Sequence, residues 1–294
     1  MANQPVRSIS LPSREHPCSV RIEALLNHLK AYQFSSSVPF EFETIQTSLV
    51  ALAELYNCLE ELIGSPSTQQ ALLSTIHGKL VEQALEGSIT LLDTCNMARD
   101  LLLTTKEHVQ TLQSALRRKG GDSTFETDIH SYLCFRKKAK KDIAKCLGGL
   151  KRIETKVIAS QALDLGHDLS MVERTLRETS SITVYIFRFL LKFMAMPAPS
   201  AKASGWSLIS KLMRVKLLSS EKEEKMVNLV GCVDVCLHSL MGNIQTNESR
   251  AQLKMTQRML ETLNSSSEGL MTGLDCMFRC LVQNRVSLLN ILTL

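Results

Sequence analysis

Apolar residues recur along this chain at steps of three, four and seven, the period of a helix with one buried face. Ile22, Leu25, Leu26 and Leu29 make a first stripe. Beyond a break at Ser35-Ser36-Ser37-Val38-Pro39, Leu49, Leu52, Leu55, Leu59 and Leu62 make a second, which Gly64 and Pro66 bring to a stop. No proline lies in 67–119, where Leu85, Ile89, Leu92, Ala98, Leu102, Val109, Leu112 and Leu116 hold close to one face. Gly87 and the gap after Leu92 leave room for a kink there, and Gly120-Gly121 ends the run.

Three later helices announce their starts with capping boxes, in which a hydroxyl accepts an orphan amide and an acid three residues on reaches back. Ser123-Thr124-Phe125-Glu126 opens a helix to about residue 160, with local weakening expected at Gly148-Gly149. Ser170-Met171-Val172-Glu173 opens one that runs to Met196, ahead of Pro197-Ala198-Pro199. After Ser220-Glu221-Lys222-Glu223, residues Met226, Val230, Val233, Leu237, Leu240 and Ile244 alternate steps of four and three, the seam of a coiled-coil-like hairpin. Leu270, Leu274, Met277, Leu281 and Leu288 resume that pattern, with the polar stretch 264–267 expected to interrupt the last helix.

The expected architecture is all-α: an elongated bundle of long antiparallel helices packed at shallow angles, forming one domain over 19–294. Residues 1–18, with Pro5, Pro12 and Pro17 among polar neighbours, read as a flexible leader. Composition agrees. The chain has 294 residues, 44% of them hydrophobic, which is ample for a core, while aromatics are only 5% and Trp206 is the single tryptophan.

Charge adds an asymmetry. Segment 106–156 holds 13 Lys and Arg against 6 Asp and Glu, so it carries more than the whole formal surplus of +5. Within it, Arg136-Lys137-Lys138-Ala139-Lys140-Lys141 is the sharpest run. Its readings, in order, are a solvated helix face or protein-docking site, an acidic membrane surface, nuclear import, and direct nucleic-acid binding, for which no companion motif is present. Nine scattered cysteines and no signal-like apolar start point to a reducing, cytoplasmic setting. The apolar run 182–196 contains Arg188 and Lys192 and is too short to span a bilayer, so it reads as a core helix.

Candidate chemistry is thin. Cys232 with Cys236 and Cys276 with Cys280 form two C-x-x-x-C pairs, each on one helix face, yet structural zinc sites draw close pairs from turns with other spacing. Gly166-His167-Asp168 reads as a loop before Ser170 rather than as a base with its orienting acid. No cofactor, metal ligand set or catalytic residue is expected.

One segment suggests a particular partner. Arg7-Ser8-Ile9-Ser10-Leu11-Pro12 places arginine three residues before Ser10 and proline two after, which suits a basophilic kinase and a phospho-docking peptide of the kind 14-3-3 proteins read. The bland alternative is a solvated leader with a chance match.

That leader, continued by Ser13-Arg14 and His16-Pro17, resembles the plant BYPASS-related family. So do Leu55-Tyr56, Pro66 and Gln69-Gln70-Ala71-Leu72, the block Trp206-Ser207-Leu208-Ile209-Ser210-Lys211-Leu212, and the ending Arg285-Val286-Ser287-Leu288-Leu289-Asn290-Ile291-Leu292. The resemblance covers nearly the whole chain. It implies a link to root and shoot development and supplies no enzymatic mechanism or catalytic residues. The combined expectation is a non-enzymatic regulatory or adaptor protein acting through protein partners. The alternative is a peripheral membrane protein held by the basic helix, with the apolar segment around Phe187 and Phe193 contributing.

Overall fold

The computed structural model describes residues 17–34, 42–72, 75–118, 123–163, 171–196, 229–241 and 247–293. Among them are eight helices and no strand: α1 Pro17–Phe34, α2 Phe42–Ile63, α3 Pro66–Leu72, α4 Thr75–Arg117, α5 Ser123–Leu163, α6 Met171–Ala195, α7 Leu229–Leu240 and α8 Asn247–Thr293. The 43 residues of α4 and 47 of α8 make rods of roughly 65 and 70 Å at the usual helical rise, which sets an elongated shape.

The two long rods pack antiparallel along most of their length, tied by Arg99 to Asp275 at 2.5 Å and Lys106 to Glu268 at 2.7 Å. Helix α2 lies on α8 and runs the same way, with Leu49 opposite Gly273 and Glu60 accepting from Ser287. Helix α5 returns antiparallel along α4, and α6 packs against α5, α4 and α2. Helix α1 joins α2 through Arg21–Glu54 and α6 through Lys30–Glu178. Buried apolar side chains from all eight helices form one continuous cluster.

Most stripes read from the sequence face this core. Ile22, Leu26, Leu29 and all five leucines of the second stripe are buried, as are Val233, Leu237 and Leu240 on α7. In α8 the buried positions Leu260, Leu263, Ser267, Leu270, Leu274, Met277, Leu281, Asn284, Leu288 and Ile291 alternate steps of three and four without a gap. The expected interruption at 264–267 does not occur. Ser267 is fully buried, and its hydroxyl donates to the Leu263 carbonyl at 2.7 Å, so a polar residue sits in the seam without an unsatisfied group.

On α4 the seam differs from the apolar pattern. Ile89 points outward, and the buried face passes through Val81, Leu85, Ser88, Leu91 and Cys95. The reason is a polar lock: Arg285 of α8 donates to the Ser88 hydroxyl at 2.6 Å and to the Leu85 carbonyl at 2.5 Å. Helices α4 and α5 run unbroken through Gly87 and Gly148-Gly149.

Two starts fall differently from the sequence reading. Helix α1 begins at Pro17, inside the stretch assigned to the leader, because proline is tolerated in a first turn where its missing amide has no partner. Pro66 likewise starts α3 after Ser65, whose hydroxyl accepts the Thr68 amide at 3.3 Å. The third capping box, with Met226 and Ile244, lies outside the described residues.

Candidate functional site

The basic run on α5 is divided by helical geometry. Residues 136 and 140 share a face because they are four apart, and that face meets α7. Arg136 Nε donates to Asp234 Oδ1 at 3.1 Å and Oδ2 at 3.3 Å, and its Nη1 donates to the Met194 carbonyl at the end of α6 at 2.9 Å. Lys140 Nζ stands 3.6 Å from Asp234 Oδ2, and the Tyr132 hydroxyl donates to Oδ1 at 3.0 Å. Both side chains of the Arg136–Asp234 pair are only 5% exposed. Burial, with the Asp234 carboxylate beside it, holds the Tyr132 phenol well above its ordinary pKa. One carboxylate thus joins α5, α6 and α7, and the arginine also satisfies a carbonyl that the end of a helix leaves without an amide.

Lys137, Lys138 and Lys141 face solvent instead. Lys145, one turn beyond Lys141, has an 82% exposed side chain and, among the described residues, pairs with the neighbouring Asp142 at 3.9 Å. These four ammonium groups cover about 12 Å of one rigid helix. Lys151 and Arg152 continue the exposed cations toward the C-terminal end of α5. Sequence reasoning grouped Arg136 and Lys140 with this face and missed Asp234. The available signal was an acid inside the apolar run of α7, adjacent to the seam residue Val233.

The core cysteines are held as thiols, while Cys134 on α5 is exposed, with its Sγ 3.7 Å from His130 Nδ1. Burial raises the thiols of Cys95 to about 12 and of Cys236 and Cys280 to about 11, and a thiol protonated at neutral pH is a poor nucleophile. The two cysteine pairs do not converge. Cys236 Sγ lies 3.5 Å from Met259 Sδ, whereas Cys280 packs on Ala53 and Asn57 of α2, and Met259 and Cys276 are about 25 Å apart along α8. Among the described residues no group of three or more His, Cys, Asp or Glu is arranged to hold a metal.

Arg7, Ser8, Ser10 and Pro12 lie outside the described residues, as does Gly166-His167-Asp168. The apolar segment of α6 is in the core, with Phe187 and Phe193 each 1% exposed, and Arg188 pairs with Glu154 of α5. No described helix is long and apolar enough to cross a membrane.

No curated protein and no solved structure matches the chain. A family model described as Protein BPS1 matches residues 48–291, from the first buried turns of α2 to the last of α8 and across the whole α5 face. The chain therefore belongs to that BYPASS-related family of plant proteins associated with development.

Proposed function

We propose that this protein acts without catalysis of its own, as a regulatory or adaptor protein in root and shoot development. In this reading the outer face of α5 is where an acidic protein partner docks. The observation that carries it is the sorting of one basic run into two roles. Arg136 and Lys140 are engaged by Asp234, while Lys137, Lys138, Lys141 and Lys145 remain on the surface, where among the described residues Asp142 is the one acid paired with them. Cations fixed on a rigid helix attract an acidic surface over roughly a Debye length, about 10 Å at moderate salt.

The membrane alternative is less well supported. Its apolar contributor, Phe187 to Phe193, is turned into the core, so attachment would rest on charge alone. A two-part experiment separates the readings. The chain is immobilised to capture proteins from plant extract, and in parallel it is sedimented with vesicles rich in anionic lipid. Lys137, Lys138, Lys141 and Lys145 are replaced together by Gln, and Lys140 is left to its structural pair. Protein capture lost both in this variant and at high salt supports docking. Capture indifferent to both, or salt-sensitive sedimentation of wild type without protein capture, overturns it.

The leader supplies a second, switchable contact in this proposal. Phosphate on Ser10 adds charge and acceptor oxygens that an arginine cluster grips, with Pro12 turning the chain away. A Val6-to-Arg14 peptide phosphorylated on Ser10 should bind a 14-3-3 protein far more tightly than the unmodified peptide, and equal affinity would remove this contact. In the full protein Ser10→Ala should abolish binding, whereas Ser8→Ala should leave much of it.

A further inference from the structure

A cavity of about 220 Å³ opens between α4, α5 and α6, farther along α5 than the Lys137–Lys145 cations. Its existence follows from glycine. Gly87 of α4 and Gly149 of α5 present bare backbone to the cavity, and a Cβ on Gly149 would lie 3.2 Å from Thr90 Cγ2. The residues that read as weak points in two helices are therefore where those helices meet closely and leave a hollow beside the contact.

The lining is chemically asymmetric. Ile153 and Leu176, both buried, provide an apolar floor. Arg152 and Lys156, both exposed, and Arg177, which already has a partner in the fold, line the rim with one carboxylate, Glu86, which Lys156 holds at 2.6 Å. Cations around a recessed apolar floor produce a positive field stronger than the same charges make on a flat surface. The volume exceeds the about 150 Å³ of an apolar cavity able to hold benzene, so a single aromatic ring fits.

We infer that this cavity binds a small organic carboxylate, with its acid group at the Arg152–Lys156 side of the rim and its apolar body on Ile153 and Leu176. A guanidinium presents paired N–H donors matched to the two carboxylate oxygens, and the apolar floor discriminates against a bare inorganic anion. The site is independent of the docking proposal, since Lys137, Lys138, Lys141 and Lys145 are not part of its wall.

The test uses the full chain and three probes: 4-fluorobenzoate, its neutral analogue 4-fluorobenzamide, and inorganic phosphate as competitor. Fluorine NMR titration should show saturable binding of 4-fluorobenzoate. The amide should bind about tenfold more weakly or less, the scale set by losing a charge-assisted hydrogen bond. Phosphate should not displace the benzoate at equal concentration. Arg152→Gln should weaken benzoate by about tenfold, and Arg152→Glu by more, without moving the amide. Gly87→Leu should abolish binding of both aromatic probes by filling the hollow. A Cβ there meets only Ile153 Cγ2, at 3.8 Å, so the fold should be retained, as the helical dichroism of that variant would record.

The quadruple Lys→Gln variant should bind benzoate like wild type, so loss of the docking reading leaves this one standing, and the reverse. No saturable benzoate binding, equal affinity for acid and amide, effective displacement by phosphate, or binding unchanged in Arg152→Glu each overturns the inference.

Discussion

Replacing Asp234 by leucine should be among the most damaging single substitutions in this protein. The carboxylate is 5% exposed and accepts from Tyr132 at 3.0 Å and from Arg136 at 3.1 and 3.3 Å, with the Lys140 ammonium at 3.6 Å. Asp234→Leu leaves the Arg136 guanidinium buried with only the Met194 carbonyl to receive it, and strands the Tyr132 hydroxyl as well. Breaking one half of a buried ion pair costs about 3–5 kcal/mol, and an orphaned hydroxyl adds roughly 1 kcal/mol or more. Removing both halves is a different matter, because the desolvation of two charges disappears with their attraction. Arg136→Met with Asp234→Leu and Tyr132→Phe should therefore recover most of the loss. Urea unfolding followed by far-ultraviolet dichroism measures this. With a slope of about 3 kcal/mol per molar urea, the single variant should lose over 1 M in midpoint and the triple variant much less. A single variant within about 1 kcal/mol of wild type, or a triple variant worse than the single, would refute the view that the cost is an uncompensated charge.

Two glycines of α8 should respond in opposite directions to alanine. A Cβ at Gly269 meets only the exposed Gln46 side chain, which can swing away, so Gly269→Ala should gain about 0.5–1 kcal/mol from helix propensity. A Cβ at Gly273 comes within 3.2 Å of Leu49 Cβ, which moves only with α2 itself, so Gly273→Ala should destabilise by about 1–3 kcal/mol despite the same propensity gain. Thermal melts of the pair check both, and equal shifts would refute the contrast. Leu237→Asp places a charge at a fully buried position of α7 and should unfold or aggregate the chain, whereas an unchanged melting temperature would show that the seam is misassigned. His108 lies against Phe135 with ring centres 5.0 Å apart, and burial holds its pKa below the ordinary 6.5, against the weaker opposite pull of Glu107 and Asp128. A depressed folded value favours the neutral ring, so its contribution is complete above the unfolded pKa and is lost as pH falls through the folded one. His108→Phe should then lose less stability than wild type on acidification from neutral pH, and parallel melting curves against pH would refute this.

What the sequence disclosed about this fold depended on where apolar side chains carried the signal alone. Leu49, Leu52, Leu55, Leu59 and Leu62 were legible because five buried positions of α2 at steps of three and four are all leucines. In α4 and α8 the same 3.5-residue period continues through Ser88, Ser267 and Asn284, and a reader following apolar residues drifts to Ile89 or expects a break. The period was intact, but hydroxyls and an amide occupied some of its positions, and their acceptability depends on partners such as Arg285 that lie about two hundred residues away.

The candidate site was obscured by the same kind of distance. A string of five cations looks uniform in one dimension, yet successive helical residues differ by about 100° in direction, so it must be distributed over several faces. Which face is buried was not written in α5 at all. It is set by Asp234, about a hundred residues on, and an acid in an apolar run is legible as an anomaly before its partner can be named. The two unusual features explain one another: Asp234 tolerates burial because Arg136 and Lys140 meet it, and Lys137, Lys138 and Lys141 are left outside because those two turned in. The proposed docking face is thus what the charge pair that anchors α7 leaves on the surface. Substitutions at Asp234 should disturb partner binding as well as stability, while substitutions at the outward lysines should disturb binding alone.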